Sequence, residues 1–513
     1  MLLDAFVNYN TGLGISASAV DVTAGYSYGD SYSEYPYFEA RGLQFDYLGT
    51  AGIPAANEQR TTNWIDHSRL ISFFGRANLN VLDRYLLTLS LRRDGSSKFG
   101  PEEQWGTFPS VALAWRVASE DFFSGIDAIS DLKLRASWGV NGNQAFANYQ
   151  QFSTYSLGEE TAQYQFGDVY VPTIRPSAAD PGIKWEETTS WNVGMDFGVM
   201  DNRITGALDY YFKRTEDLIF TVPVPAGTNL SNFVTTNIGT LENRGFEISL
   251  EGRVFEPVQE GGFWWNAAFN AATNTNELVR INPFGGGGSE TILTGGIAGG
   301  VGNFIQILRP GESVNTFYVY EHRRTNDGLP VWEDLNGDGN INDLDLYVDQ
   351  NSDGVINQDD RVPGESPDPD WTFGHTSNMG YGPFDMSFTL RANLGNYVYN
   401  NVASNYGHYR ALRYVDVPNN LHASVLETGF EREQYFSDYY IEDASFLRMD
   451  NLTLGYTFTQ LVSGAQVRLF GTAQNLFTLT EYRGVEPLAG VNGIDNNLYP
   501  RSRTFTVGAN VQF

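Results

Sequence analysis

Two short acidic segments hold the residues whose types and spacing are best suited to chemistry. Each is twelve residues long, carries oxygen-bearing side chains at positions 1, 3, 5, 9 and 12, and has glycine at position 6. Calcium takes oxygen ligands at this spacing, together with a backbone carbonyl at position 7. The predicted ligands are Asp334, Asn336, Asp338, Asn340, Asn342 and Asp345 in the first loop, and Asp349, Asn351, Asp353, Val355, Asn357 and Asp360 in the second.

Both loops end in Asp at position 12, where the EF-hand loop has a bidentate Glu. The shorter acid resembles the calcium loops of dockerin-type extracellular modules. A competing interpretation is a cluster of turns, because Asp, Asn and Gly favour turns without any ion. Two matched copies in tandem favour Ca²⁺. We expect a structural role, in which the ion neutralises clustered carboxylates and stiffens a long surface loop over residues 323–370.

Other catalytic signatures are weak. The five histidines form no HExxH motif, and no GxSxG elbow occurs. The absence of cysteine excludes disulfides, Cys nucleophiles and Cys-ligated metals. A formal charge of −29 argues against nucleic-acid binding, because phosphate contacts need basic clusters. We therefore predict a protein that is not an enzyme and binds no nucleic acid.

The elements that position these loops are predicted from side-chain alternation. From Ile71 to Val81, apolar residues alternate with polar ones, and the pattern resumes at Tyr85 after a three-residue turn. About sixteen segments follow this period of two, which indicates β-strands. They lie near residues 2–10, 19–29, 71–81, 85–92, 111–117, 132–141, 191–199, 203–213, 241–252, 263–273, 313–322, 371–381, 384–394, 446–458, 467–477 and 503–513.

Short and long connections alternate between these segments. Long loops are predicted at residues 30–68, 142–188, 276–312, 323–370 and 395–440. Long amphipathic strands with this alternation are typical of a transmembrane antiparallel β-barrel in a bacterial outer membrane, whose apolar face contacts lipid. A soluble all-β sandwich array or propeller is the alternative, although a sandwich core would not bury the Arg, Lys and Asp of the second face. The last strand ends on an aromatic residue, Phe513, which resembles the assembly signal of such barrels.

Several sequence blocks, taken together, resemble the SusC/RagA group of TonB-dependent outer-membrane transporters. They occur in the order found in that family and extend over almost the whole chain. The blocks are residues 92–100, 132–143, 237–250, 440–456, 475–478 and 499–513.

The resemblance is to the later part of such a transporter. TonB-dependent barrels have 22 strands and a plugged lumen. Family members begin with a signal peptide, a TonB-binding segment and a plug domain, and none of these is recognisable after Met1. We therefore expect residues 1–513 to be the C-terminal portion of the barrel, with about sixteen of a probable 22 strands and no plug domain.

The resemblance also implies a function. Such barrels import bulky nutrients, oligosaccharides or peptides, across the outer membrane as multi-pass proteins in contact with its lipid. A SusD-like lipoprotein forms a lid, and the TonB complex supplies energy through the plug. Two alternatives stay open: a passive 16-stranded porin, and a secreted calcium-stabilised all-β protein that binds glycans.

Aromatic residues in the predicted loops are a weaker indication of ligand binding. Their flat faces can stack on sugar rings or pack against a protein lid, and packing within the loops themselves is the competing explanation. They are Tyr32, Tyr35, Tyr37, Trp64, Trp105, Tyr399, Tyr406 and Tyr409.

Overall fold

The computed structural model describes residues 1–513 apart from 44, 124, 158–162, 225–230, 232, 260, 282–290, 301, 417–418, 463–464 and 513. The predicted terminal aromatic residue, Phe513, therefore lies outside the described residues. The strands of the first half are β1 (Leu2–Gly12), β2 (Ala19–Arg41), β3 (Glu58–Val81), β4 (Tyr85–Ser96), β5 (Trp105–Arg116), β6 (Ile129–Asn143), β7 (Tyr155–Leu157), β8 (Gln163–Phe166), β9 (Val169–Pro172), β10 (Ile174–Pro176), β11 (Glu186–Val199), β12 (Ile204–Glu216), β13 (Ile219–Pro223), β14 (Phe233–Asn237) and β15 (Thr240–Phe255).

The remaining strands are β16 (Trp264–Arg280), β17 (Ile292–Gly296), β18 (Phe304–Leu308), β19 (Thr316–Tyr320), β20 (Arg361–Pro363), β21 (Trp371–Tyr381), β22 (Phe384–Leu394), β23 (Tyr397–Asn400), β24 (Ile441–Asp443), β25 (Phe446–Val462), β26 (Ala465–Thr480), β27 (Ile494–Asp495) and β28 (Thr504–Gln512). The α-helices are α1 (Asp343–Leu346), α2 (Asn401–Tyr406) and α3 (Val425–Thr428). Turns of 3-10 helix occupy Asp46–Ala55, Val117–Ser119, Asp121–Phe123, Gln358–Asp360, Tyr409–Asp416 and Asp438–Tyr440. Among the described helices, none has the length and apolar character that crossing a membrane requires.

The large sheet contains fifteen of the described strands, and their order in the sheet follows the chain. The order is β1, β2, β3, β4, β5, β6, β11, β12, β15, β16, β21, β22, β25, β26 and β28. Fifteen of the sixteen predicted segments coincide with these strands, so the antiparallel all-β prediction is confirmed. The remaining segment, residues 313–322, is corrected below.

The chain divides into two compact units. The first contains Met1–Leu113, Ser137–Thr189 and Thr215–Ile238. In it, β2 and β3 pair continuously from Ala19 opposite Asn80 to Arg41 opposite Glu58. The predicted long loop at 30–68 is therefore wrong for most of its length, because a two-stranded ribbon continues there. Residues at the far end of this ribbon are exposed on both faces, so the alternation of apolar and polar residues that indicates a strand is missing.

The second unit contains Ala114–Ala136, Ser190–Arg214 and Gly239–Phe513. Its long connections fold into small sheets, β17-β18-β19-β20 and β24-β23-β27. These surround a buried core that includes Phe317, Tyr399 and Phe430. The predicted segment 313–322 contributes β19 to this core and not to the large sheet. Residues 316–319 of β19 are buried on both faces, so its run of apolar residues reflects a packed loop core.

Candidate functional site

The two acidic loops lie in the second unit, between the end of β19 and the start of β20. The first loop ends in α1, and the second ends in the 3-10 turn Gln358–Asp360. In each loop an Asn caps the helical turn: Asn342 accepts a hydrogen bond from the backbone of Leu344, and Asn357 accepts one from Asp359. The two loops therefore end in similar Asn-capped turns, although the first turn is α-helical and the second is 3-10.

The first residue of each loop folds the backbone around its carboxylate. Asp334 Oδ1 and Oδ2 accept hydrogen bonds from the backbone of Gly337 at 2.6 Å and Gly339 at 2.7 Å. Asp349 accepts bonds from Asp353 at 3.3 Å and Gly354 at 2.9 Å, so the bond from the glycine at position 6 is common to both loops. Both glycines at position 6 have positive φ, 88° and 80°, a conformation that a residue with a Cβ rarely adopts. The backbone of both loops therefore turns sharply at position 6.

The last residue of each loop closes it. Asp345 Oδ1 accepts from the backbone of Leu335 and Asn336, and its Oδ2 accepts from Asn342 at 2.9 Å. Asp360 is held in the same way, by hydrogen bonds from residues 350 and 357 at 2.9 and 2.8 Å. Both carboxylates are buried. The backbone donors, Asn342 first for Asp345 and Asn357 first for Asp360, hold the pKa of each carboxyl below its usual range.

The middle positions of the first loop are also drawn together. Asn336 Oδ1 accepts from the backbone of Asp338, and Asp338 Oδ1 accepts from Asn340, both at 2.8 Å. Within the described ranges, no group of three or more His, Cys, Asp or Glu side chains is placed to hold a metal ion. The predicted ligand sets mix Asp with Asn and a backbone carbonyl. Calcium binding therefore stays a prediction.

A buried histidine that the sequence patterns did not single out anchors the loops. His322 stacks on Phe430, with ring centroids 5.4 Å apart, and contacts Tyr347 at 4.9 Å. Its Nε2 donates to the Val331 carbonyl at 2.9 Å, so Nδ1 accepts from the Ser437 hydroxyl at 2.8 Å. Burial lowers the pKa of His322 to about 4. The ring is therefore neutral at pH 7.

Further bonds tie the acidic loops to the segment around residues 430–440. The Tyr347 hydroxyl donates to Gln434 Oε1 at 2.5 Å, and Arg432 donates to the Ile341 carbonyl at 3.3 Å. Arg324 forms an ion pair with Asp438 at 2.9 Å. The loops are thus one part of a packed structure and not an isolated appendage.

The two faces of the large-sheet strands differ in chemistry. In the second unit, the polar face carries ion pairs, listed here with their distances: Arg468–Asp385 at 2.5 Å, Arg391–Asp450 at 3.0 Å, Arg448–Glu486 at 2.5 Å and Arg135–Asp196 at 2.7 Å. On the other face, Leu454, Leu469 and Val507 are exposed. In the first unit, Arg92 binds Asp94 and Ser72 at 2.8 Å, whereas Leu89 and Leu91 are exposed.

This arrangement defines the class of protein. An exposed apolar band along long antiparallel strands, opposite a polar and ion-paired face, is the pattern of an outer-membrane β-barrel. Lipid covers the apolar band, and strand pairing satisfies the backbone groups inside the hydrocarbon.

The particular family follows from comparison with known proteins. The model of the family described as TonB dependent receptor-like, beta-barrel matches residues 3–306, and this chain belongs to that family. TonB-dependent receptor SusC of Bacteroides thetaiotaomicron is 39% identical over 469 residues, which cover 89% of this chain and 45% of SusC. TonB-dependent receptor P3 of Formosa agariphila is 30% identical over 537 residues, covering 100% of this chain and 52% of that receptor.

The fold has a solved counterpart in the RagAB peptide transporter. That structure matches with a TM-score of 0.78 and 22% identity, over 99% of this chain and 55% of that one. The protein is therefore an outer-membrane β-barrel protein of a family of transport proteins without enzymatic activity. The chain spans about half the length of the curated relatives it matches. Family membership removes the secreted all-β alternative.

Proposed function

We propose that residues 1–513 are the C-terminal barrel portion of a TonB-dependent importer that carries bulky nutrients, oligosaccharides or peptides, across the outer membrane. The observation that carries the proposal is the family match over residues 3–306, joined by SusC at 39% identity. A passive 16-stranded porin is the second candidate. The family match disfavours it, because TonB-dependent barrels are plugged and larger.

The long strands of the large sheet form the wall of the barrel, and the side chains on their polar face are compatible with import. Charged side chains on the polar face are paired with one another, as Arg135 is with Asp196 and Asp209 at 2.7 and 2.9 Å. Because these charges neutralise one another, a polar solute can pass along the wall without being bound tightly to it. A wide lumen must be closed at rest, so we propose that a plug outside this chain closes it and that the TonB complex moves the plug. We also propose a SusD-like lipoprotein as the lid.

Uptake tests the importer proposal directly. Cells that produce the full-length transporter and its neighbouring lipoprotein would be given labelled oligosaccharides and peptides, with and without functional TonB. We expect uptake of one class only when TonB is present. Uptake that is unchanged by loss of TonB would support the porin and contradict the importer.

We further propose that residues 334–345 and 349–360 each hold a structural Ca²⁺. What supports this is the repetition of one hydrogen-bond pattern in both loops. Asp345 and Asp360 close their loops in the same way, and both stay ionised because backbone donors lower their pKa values. Oxygen-rich loops of this spacing suit Ca²⁺ more than Mg²⁺, which demands near-ideal octahedral geometry.

Limited proteolysis tests the calcium proposal. A chelator should increase cleavage between residues 334 and 360, and added Ca²⁺ should restore protection. The doubly substituted protein Asp334→Asn/Asp349→Asn should be cleaved with or without calcium. Asp327→Asn is the matched control, because Asp327 is exposed nearby and lies outside both loops. Cleavage that ignores the chelator in the unsubstituted protein would count against a bound ion.

A further inference from the structure

The ribbon formed by β2 and β3 extends past the edge of the membrane. On its apolar face, Phe73 and Ile71 are followed by Arg69 and His67, and both bind Asp30 at 2.9 Å. Charged groups on a lipid-facing surface mark the end of the hydrocarbon region. Residues 30–41 and 58–69 therefore project beyond the bilayer on the side of the long loops, which in this class is the outside of the cell.

One face of the projecting ribbon carries three exposed aromatic residues. Tyr35 is directly opposite Trp64, and Tyr37 lies two residues further along the same face. Their exposed fractions are 58%, 59% and 55%. Trp64 and Ser72 are separated by an even number of residues in β3, so their side chains lie on the same face of the strand. Ser72 binds Arg92 on the polar face of the wall. The three rings therefore lie on the lumen side of the ribbon.

A cleft of about 410 Å³ opens beside Trp64 in the same unit. Its polar lining comes from Asp66, Lys98, Asn148, Gln150, Thr154 and Ser177. The neighbouring residue Tyr149 has a positive φ of 66°, and its hydroxyl accepts a hydrogen bond from the backbone of His67 at 2.9 Å. That bond connects β3 to residues 146–150, which line the other side of the cleft.

The polar groups of the cleft are only partly satisfied. Asn148 donates its amide to Asp66, and its own Oδ1 is buried without a hydrogen-bond partner among the described residues. A buried carbonyl oxygen in this state is stabilised by a ligand that donates a hydrogen bond. The hydroxyls of Thr154 and Ser177, 3.0 Å apart, can both donate and accept.

We propose that the Trp64 cleft binds a pyranose ring of a neutral oligosaccharide, with Tyr35 and Tyr37 as stacking positions for further sugar units. A sugar hydroxyl donates to Asn148 Oδ1, other hydroxyls bind Asp66 and the Thr154–Ser177 pair, and the apolar face of the ring lies on the indole. The inference rests on the proposed import function and gives it a substrate class and a site.

The strand edge beside this cleft is poorly suited to a peptide that binds by strand addition. A peptide can add as a strand only where edge amides are free. The amides of His67 and Arg69 are already bound, by the Tyr149 hydroxyl and by Ser97 Oγ at 2.9 Å. Lys98 and Asp66 bring one charge of each sign to the cleft. Their hydrogen bonds, from Lys98 to two backbone carbonyls at 2.8 and 3.2 Å and from Asn148 to Asp66, involve neutral partners and leave both charges in place. The zwitterionic hexapeptide is therefore the competing probe.

Binding to the full-length transporter in detergent tests the site. The probes are neutral gluco-, xylo- and manno-hexasaccharides and a zwitterionic hexapeptide, measured by calorimetry and tryptophan fluorescence. At least one hexasaccharide should bind, and Trp64→Ala should weaken it about tenfold. Tyr35→Ala should weaken it several-fold. Tyr32→Ala is the matched control, because Tyr32 is 57% exposed on the opposite face of the same ribbon.

Several outcomes would overturn the proposal. They are the absence of hexasaccharide binding, equal effects of Tyr35→Ala and Tyr32→Ala, or hexapeptide binding that depends on Trp64. The proposed import function and the proposed sugar site can be contradicted independently, because sugar binding in detergent does not require TonB. Intact sugar binding without TonB-dependent uptake would contradict the importer alone. TonB-dependent uptake that Trp64→Ala leaves unchanged would contradict the site alone.

Discussion

An arginine placed on the lipid-facing side of β4 should be far more disruptive than one placed on the next residue. Leu89 lies on the apolar face, four residues from Tyr85 and four from Arg93, and is 45% exposed. At ~3.4 Å per residue and a tilt of about 40°, each end of this stretch is roughly 10 Å from Leu89 in height. Leu89 therefore lies near the centre of the apolar band, which is about 25 Å tall.

Leu89→Arg should destabilise the folded protein by about 2–4 kcal/mol, the usual effect of arginine at the bilayer midplane. Thr88→Arg is the matched control on the polar face. It loses the hydrogen bond from Thr88 Oγ1 to Asn78 at 3.0 Å, worth about 1 kcal/mol. The new charge lies near Asp21, which Asn78 also contacts, at 3.4 Å. The two variants should therefore differ by about 1–3 kcal/mol, or roughly 5- to 150-fold in the folding equilibrium.

Denaturant titration of the full-length transporter in phospholipid vesicles measures this difference through tryptophan fluorescence. Folding of both variants must first be checked by resistance to protease. If Thr88→Arg proves as destabilising as Leu89→Arg, or more so, the assignment of lipid and lumen faces is wrong for β4. The outcome concerns the face assignment and does not depend on the transported substrate.

Three further predictions concern the loop core and the wall of the second unit. Burial lowers the pKa of His322 to about 4, so the neutral ring stabilises the loop core above pH 6.5. As the pH falls from 6.5 to 4, about 3 kcal/mol of the stability of this core should be lost, and its proteolysis should accelerate. In His322→Asn the rate of proteolysis should depend less on pH over this window. Arg448 is 2% exposed and binds Glu486, which also pairs with Arg501 at 3.0 Å; because Arg501 still compensates the carboxylate, Arg448→Met should destabilise in thermal unfolding by less than about 3–5 kcal/mol, the effect of a fully unpaired buried charge, and Arg448→Met/Glu486→Met should recover much of that loss. Phe430 is fully buried, so Phe430→Ala should destabilise the same core by about 3–5 kcal/mol, and Phe430→Leu should cost less in the same assay.

The strands of the wall could be predicted because one physical constraint acts on each of them. Lipid on one side and polar surroundings on the other force an alternation that any one strand records locally. β2 and β3 show where that constraint ends. Beyond Asp30 and Arg69 both faces of the ribbon contact water. The alternation of apolar and polar residues therefore disappears there, although β2 and β3 remain paired. The sequence pattern therefore located the membrane-spanning part and missed the projection.

The candidate sites also differ in whether they could be predicted from a local sequence pattern. The acidic loops were recognisable because their twelve residues close on themselves, and each key hydrogen bond joins residues no more than ten positions apart. His322 and Asn148 were not recognisable. Their decisive contacts are to Ser437, 115 positions away, and to Asp66, 82 positions away. No local pattern marks a residue whose environment is assembled from distant loops.

The distribution of unsatisfied groups indicates where this protein can discriminate among solutes. Within the wall of the second unit, Arg468 and Arg135 are each bound to carboxylates, so those side chains have little binding capacity left. Arg391 and Arg448 each have one buried nitrogen without a partner in the described part of the chain, but both are held in ion pairs, with Asp450 and Glu486. In the first unit, the exposed rings and the unpartnered Asn148 oxygen lie beyond the membrane boundary set by Asp30 and Arg69. A ligand gains most where partners are missing, because a satisfied ion pair must be broken before it can bind anything new. Recognition should therefore reside in the projecting segments, and exchanging these between relatives should change the solute while the wall stays the same.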